Sequence, residues 1–518
     1  MLSLFNRDRD FSHPLADPKE LKRTLAELPQ KDNFKSLDEL AGWLESVLGA
    51  EGLAPAQTFD IVRQLDDAAQ PFLRHLTHAY LAPSARSPKE EQRLWKLCFT
   101  YCEFAARAYQ NVIDAFQAAS ADKARAKLAE SLRPQLPLLL CRQAAAMIAC
   151  TKWRRFHHEP ALAGVWSQMG RNFLLAESRK IDVEAVTLYP LSQIVTTPRR
   201  EYVKAVALEA SSLDSLLPVQ IEVAEKLVAH FAPLFALSRE NRPDNLYWVD
   251  AALDQAPQRL ARLPVNTPGL RLLGFGEVPA SLAAITRLVE RGEMPPELSL
   301  GAQYTPKLLL SVLRHLALYW TAKPPIRKHQ RHAVTSVLKV EHGFDACFDR
   351  MRGIEGPVDS DELDFCAPCD AWHVGDVSMG GFGAMVPGAK KDWLRVGALI
   401  ALQPEGGGNW MVGVVRRFQR GADNVSSVGI QTLARQATCV ELAVEGAATR
   451  NGMRERALLI DPPETADGVR LVLPAATFDL RESYTTEIDG RRVLLSPIEL
   501  LEAGGDYQIG RFRLRYAS

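Results

Sequence analysis

Long hydrophobic runs are scarce in this chain. The most apolar window, LPLLLCRQAAAMIAC, is broken by Arg142 and falls short of the roughly 20 residues that a membrane-crossing helix needs. It is expected to form a buried helix in a protein without membrane insertion. Net charge is missing as well, since 62 basic residues balance 62 acidic ones. A general DNA- or RNA-coating role therefore loses support, and any anion chemistry must come from a local cluster. Cysteine is sparse and irregularly spaced, eight in 518 residues, which excludes a disulfide framework and fits reduced thiols. The opening MLSLFNRDRDFSHPLADP carries Arg7, Asp8, Arg9 and Asp10 but no apolar core of signal-peptide length, so the cytoplasm is the expected compartment. No nucleophile stands in a pattern with a base, so no catalytic residues are assigned and no enzyme is expected.

What is present divides along the chain. At about 150 residues per domain the length suggests roughly three. From about residue 18 to 320 the texture is helical. In DNFKSLDELAGWLESVL, Phe34, Leu37, Leu40, Leu44 and Val47 recur at three- and four-residue steps, with Ser36 and Glu39 placed for a capping box. No fixed repeat period links the helices, which argues against a solenoid. After Trp320, β-branched and alternating runs take over: HAVTSVLKV, WHVGDVS, GALIALQP, NWMVGVVRRF and VSSVGIQTL, separated by turn residues. Pro324 and Pro325 mark the boundary. From about 440 a further β segment follows, with Asp489-Gly490 as a type I′ hairpin turn and a second hairpin in EAGGDYQIGRFRLRY. The expected architecture is a multidomain α + β chain. It has an all-helical region over 1–322, with a break near 160, a small antiparallel β-barrel over 323–437, and a C-terminal β-rich module over 438–518.

One local cluster answers the charge argument. PPIRKHQRHAV, just before the first expected barrel strand, crowds Arg327, Lys328, His329, Arg331 and His332 together. Two guanidinium groups four residues apart can close on one anion, each offering a planar fork to phosphate oxygens or to guanine O6 and N7. Further along, GDVSMGGFGA places Asp376 and Ser378 on one face of a strand, followed by Gly380, Gly381 and Gly383, which admit a ligand close to backbone. An aspartate accepting from guanine N1 and N2 beside such arginines would suit a guanine nucleotide.

Together R-x-x-x-R, at Arg327 and Arg331, and D-x-S-x-x-G, at Asp376, Ser378 and Gly381, resemble the two signature motifs of the PilZ domain, a small β-barrel receptor for cyclic di-GMP. VGALIALQPE, WMVGVVRRF and VGIQTL look like its later strands, and the resemblance spans roughly 323 to 435. It implies a bacterial second-messenger receptor. Arg327 and Arg331 would grip phosphates and Hoogsteen edges, and Asp376, Ser378 and Gly381 would hold a guanine. No cofactor is implied besides the ligand cyclic di-GMP, and an unidentified protein partner is expected at the helical region. The Arg331 to Asp376 interval is longer than is usual for the family and is read as a long loop containing the acidic DSDELDF. Two other readings stay open: a protein-interaction scaffold whose barrel no longer binds nucleotide, and an enzyme in the helical region under nucleotide control.

Other motifs weigh less. Cys347, Cys366, Cys369 and His373 include one C-x-x-C but no second, and His373 lies on a run leading as strand into Asp376, so buried or loop thiols are expected rather than a metal site. LGFGEVP lacks the Lys-Ser/Thr of a phosphate loop and reads as a turn. Cys98, Cys102, Trp43, Trp95 and Trp153 fall on apolar stripes and are expected in the core.

Overall fold

Proline opens much of the helical part. Helices α1 (Pro18–Glu27), α3 (Pro55–Leu81), α4 (Pro88–Ala121), α8 (Pro198–Glu209), α9 (Pro218–Phe231) and α11 (Pro306–Tyr319) each begin on proline, where the missing N–H costs nothing and φ is already helical. Asp17, Ser87, Thr197 and Thr305 cap four of them, Ser87 in a full capping box with Glu90. Between these run α2 (Asn33–Leu48), α5 (Ala126–Leu132), α6 (Leu136–Phe156), α7 (Val165–Arg179) and α10 (Val278–Glu290). The computed structural model describes residues 13–82, 87–122, 126–192, 194–301, 303–323, 329–353, 370–388, 393–421, 425–445, 454–462 and 468–516. No helix among them is long and apolar enough to cross a membrane.

The chain divides into two compact units: Met1–His157, Ala161–Leu213 and Pro218–Pro325 in the first, and His158–Pro160, Asp214–Leu217 and Ile326–Ser518 in the second. Both sides of the expected break near 160 thus contribute to the first unit. Its centre is α4, packed against α2, α3 and α6. Arg142, which interrupts the apolar run of α6, is buried and meets Asp66 at 2.9 Å and Asp67 at 2.6 Å. The Tyr101 and Tyr109 hydroxyls also donate to Asp66, and the Tyr189 ring lies 4.0 Å from the guanidinium. A buried charge persists only when paired and hydrogen-bonded in this way.

Several expectations need correction here. Ser36 is not a cap: Asp32 caps α2, and Ser36 lies buried inside it with its hydroxyl donating to the Pro29 carbonyl. Trp153 is buried as expected, as are Cys98 and Cys102, whereas Trp43 and Trp95 are only half-buried. The region is also not all helix. A small hairpin pairs β1 (Val186–Thr187) with β2 (Val195–Thr196), and β3 (Ala236–Ser238), β4 (Asn245–Asp250), β5 (Gln258–Arg259) and β6 (Leu270–Gly274) form an antiparallel sheet in the order β3-β6-β4-β5. All of β6 and most of β4 are buried, and a short run buried on both faces has no period to separate it from helix. LGFGEVP accordingly forms the turn that joins strand β6 to helix α10. The Asp244 carboxylate accepts from the Gly276 N–H at that turn.

The second unit holds two closed antiparallel barrels. The first contains β7 (His332–His342), β8 (Asp370–Ser378), β9 (Gly381–Pro387), β10 (Leu399–Pro404), β11 (Met411–Arg420) and β12 (Val425–Ala434). The second contains β13 (Thr438–Val444), β14 (Glu455–Leu459), β15 (Val469–Pro474), β16 (Tyr484–Ile488), β17 (Arg491–Ala503) and β18 (Tyr507–Tyr516). Their connectivity is the same. In each, the first strand pairs with the fourth and the third with the sixth, so the C-terminal module repeats the topology of the barrel before it. Asp489 and Gly490 have φ of 51° and 72° at the β16–β17 turn, as a type I′ hairpin requires.

The interval read as one long loop after Arg331 holds a helix, α12 (Phe344–Met351). Phe344, Cys347, Phe348 and Met351 form its apolar stripe, and the Asp506 carboxylate accepts from the Phe344 N–H at its start. DSDELDF, Cys366 and Cys369 lie outside the described residues. The α12 stripe packs with Leu399, Ala401, Val412 and Val414 of the first barrel and Leu458, Val472, Tyr507 and Ile509 of the second. Strands β10 and β11 are therefore covered on both faces, which is why GALIALQP and WMVGVV read as continuous apolar runs.

Candidate functional site: the outer face of the first barrel

The site begins with a bulge. Along β8, Trp372 and Val374 point into the barrel, and strict alternation would send Asp376 and Ser378 inward after them. Instead Val374 pairs with Ala384 and Asp376 with Gly383, leaving Gly375 as an extra residue on β8. Beyond it Val377 takes the inward position against the core, and Asp376 and Ser378 face outward. Without this bulge the motif's acid and hydroxyl would be packed among hydrophobic side chains.

Three glycines pave the face beside them. On β9, Phe382, Ala384 and Val386 are buried, so Gly381, Gly383 and Met385 face outward; on β12, Val428 and Ile430 are buried, so Ser427, Gly429 and Gln431 do. One outward row runs Ser378, Gly381, Gln431, and the next runs Asp376, Gly383, Gly429, Arg417. Gly381 has φ of 153°, and a Cβ there would lie 1.8 Å from the Ile430 carbonyl oxygen. A Cβ on Gly383 would meet the Asp376 carboxylate at 2.7 Å. Bare backbone is thus required for the strands to pair and for Asp376 to lie across them.

The basic segment reaches the same place. The Arg331 guanidinium is ion-paired with the Asp376 carboxylate, 45 positions on, with side-chain exposures of 34% and 37%. His329 lies against Gly380, where a Cβ would meet its ring at 3.1 Å, and His329 and His332 are both exposed. The Ser378 hydroxyl donates to the Gly381 carbonyl at 3.3 Å, and Thr432 N–H donates to the Gly380 carbonyl at 3.0 Å, which tie the β8–β9 turn to β12. Arg331, Asp376, Ser378 and Gly381 therefore come together, while Arg327 lies outside the described residues.

Two further residues at the rim were not anticipated from the sequence, Gln431 and Arg416. Arg416 Nε donates to Gln431 Oε1 at 2.7 Å, and its two terminal nitrogens donate to Glu502 at 2.6 and 2.7 Å. Burial works against the Glu502 charge, but the hydrogen bonds and charge of Arg416 outweigh it and hold that carboxyl below its ordinary range. The only signal in the sequence was the polar residue alternating with Val428 and Ile430.

Cys347, one of the four residues weighed for metal, is enclosed in the apolar core of α12, and burial pushes its thiol well up. Among the described residues no group of three His, Cys, Asp or Glu is placed to hold a metal ion. At the corresponding β14–β15 hairpin of the second barrel, Asp461 is closed by Arg470, which donates from its backbone and side chain at 2.6–2.9 Å.

Residues 19–243 match the family described as cyclic-di-GMP receptor FimW, N-terminal domain, and residues 367–439 match that described as cyclic-di-GMP receptor FimW, middle PilZ domain. No curated protein and no solved structure matches. The second range takes in Asp376, Ser378 and Gly381 and begins after Arg331. Together the two ranges cover more than half the chain, in the order of helical region and first barrel. The chain belongs to the PilZ-domain cyclic-di-GMP receptor family.

Proposed function

We propose that this chain is a cytoplasmic effector that binds cyclic di-GMP on the outer face of its first barrel, with Arg327, Arg331, Asp376, Ser378 and Gly381 as the binding residues. The observation that carries this reading is the meeting of the two motif segments, with Arg331 on Asp376 and His329 on Gly380, beside a floor without side chains. A guanine laid on that floor offers N1–H and N2–H to Asp376. Arg331 then turns its fork to a phosphate or to O6 and N7, joined by Arg327. The pair between Arg331 and Asp376 is readily exchanged, because an ion pair exposed by about a third is worth only about 0–1 kcal/mol.

Binding makes and breaks no covalent bond, so the protein acts as a receptor rather than an enzyme. Its output is a shift between arrangements of the chain, set by the ligand's different affinities for them, and read as rearrangement of the helical region or as partner binding there. Titration calorimetry of the whole chain with cyclic di-GMP tests the site. Heat from the wild type that is lost in Arg327→Ala and Arg331→Ala supports it, and a wild type that gives no heat favours a non-binding scaffold. Small-angle scattering with and without ligand tests the rearrangement, and identical profiles count against it.

A further inference from the structure

Gln431 occupies a position that neither signature motif covers. It pairs across β12 and β9 with Gly381, which pairs in turn with Ser378 on β8. Since Gly381 has no side chain, Ser378 and Gln431 face each other over it across two interstrand spacings, roughly 9–10 Å. A purine lying on that gap meets hydrogen-bonding groups along two edges: Asp376 and Ser378 on one side, Gln431 on the other.

The Gln431 amide is also oriented. Arg416 is an N–H donor only, so the oxygen of the amide must face it, and the Arg416 Nε bond at 2.7 Å fixes that choice. The NH2 group is left with no partner among the described residues, on an exposed side chain. Arg416 is itself held by its forked pair with Glu502, which also accepts from the Tyr507 hydroxyl at 2.5 Å. The two forked residues sit at bulges, Arg416 between Val415 and Arg417 on β11 and Glu502 next to the irregularity after Leu500 on β17. The second barrel thus braces a donor at the edge of the first barrel's site.

Building on the reading above that this face takes cyclic di-GMP, we propose that Gln431 is a specificity-determining residue whose NH2 donates to the Hoogsteen edge of the bound guanine, and that Arg416 is its positioning residue. Guanine presents two acceptors on that edge, O6 and N7, whereas adenine presents N7 beside an N6 amino donor that would oppose the Gln431 NH2. Asp376 and Gln431 then read opposite edges of one base.

The test is titration of the whole chain with cyclic di-GMP and with its 7-deazaguanine analogue, which lacks the N7 acceptor, for wild type, Gln431→Leu and Arg416→Met. The wild type is expected to bind the analogue roughly 3- to 10-fold more weakly, as for loss of one neutral hydrogen bond. In Gln431→Leu and in Arg416→Met that difference is expected to shrink while cyclic di-GMP still binds. A wild type that does not distinguish the ligands, or a Gln431→Leu variant that keeps the full difference, overturns the assignment. A wild type that binds neither ligand overturns the reading of the site and this inference with it.

Discussion

The Arg331 guanidinium is ion-paired with the Asp376 carboxylate across the β7–β8 pair, joining the end of one signature motif to the start of the other. Both side chains remain about a third exposed, so the pair adds little to stability. Arg331→Ala and Asp376→Ala are each expected to leave the unfolding midpoint within about 1 °C to 3 °C of wild type. They are expected to weaken cyclic di-GMP binding by roughly 10- to 100-fold, as for loss of a charge-assisted hydrogen bond. Thermal unfolding and calorimetry on the same samples check both halves, and a variant that unfolds early with unchanged affinity would assign the pair to the fold instead.

Gly381 carries the opposite expectation. Its φ of 153° and the Ile430 carbonyl 1.8 Å from any Cβ mean that an alanine must push β9 away from β12. Gly381→Ala is expected to destabilise the second unit by about 2–3 kcal/mol. Gly375→Ala is the control, since nothing lies within 4 Å of a Cβ there. Urea unfolding followed by circular dichroism separates the two, and equal midpoints would contradict the geometry.

How far the sequence disclosed this site depends on which property is asked for. Asp376, Ser378 and Gly381 were readable because glycines after an acid and a hydroxyl constrain backbone in a recognisable order. That Asp376 and Ser378 face outward was not, because it depends on a bulge at Gly375 that alternation alone does not reveal. Gln431 was invisible for a related reason: its partner Gly381 is 50 positions away in sequence and adjacent only through the third-to-sixth strand pairing. In the fold, β10 and β11 were legible as strands although they do not alternate, whereas β4 and β6, buried as they are, were absorbed into a helical reading. Helix α12 was missed because eight residues give a single short stripe, yet that stripe joins the two barrels' shared core.

The Arg416–Glu502 fork predicts a pH dependence. Glu502 is held below its ordinary value of 4.5, so its contribution is present in full above that value and is lost as pH falls through the lower folded value. Arg416→Met should cost about 1 kcal/mol at pH 7, a modest amount because both side chains are roughly a third exposed. The gap between variant and wild type should then close as pH drops below 4.5. Urea titrations across that range check the sign, and a gap that widens on acidification would contradict it.

Cys347 gives a chemical check on the packing between the barrels. Burial, then the nearby Asp506 and Glu341 charges, push its thiol well above the ordinary value of 9.0, so it stays protonated and shielded. Iodoacetamide at pH 8 should leave Cys347 unmodified in the folded protein and modify it in urea, as peptide mass spectrometry would show. Modification of Cys347 in the folded protein at the rate of a free thiol would mean that α12 does not sit in that core.

Hydrogen–deuterium exchange of the whole chain with and without saturating cyclic di-GMP tests the central claim most directly. Slower exchange is expected at the amides of residues 376–383 and 429–432, with Asp376→Ala needing roughly 10- to 100-fold more ligand for the same change. Unaltered exchange over both segments in the wild type, whether or not another part of the chain responds, would contradict a nucleotide site on this face of the barrel.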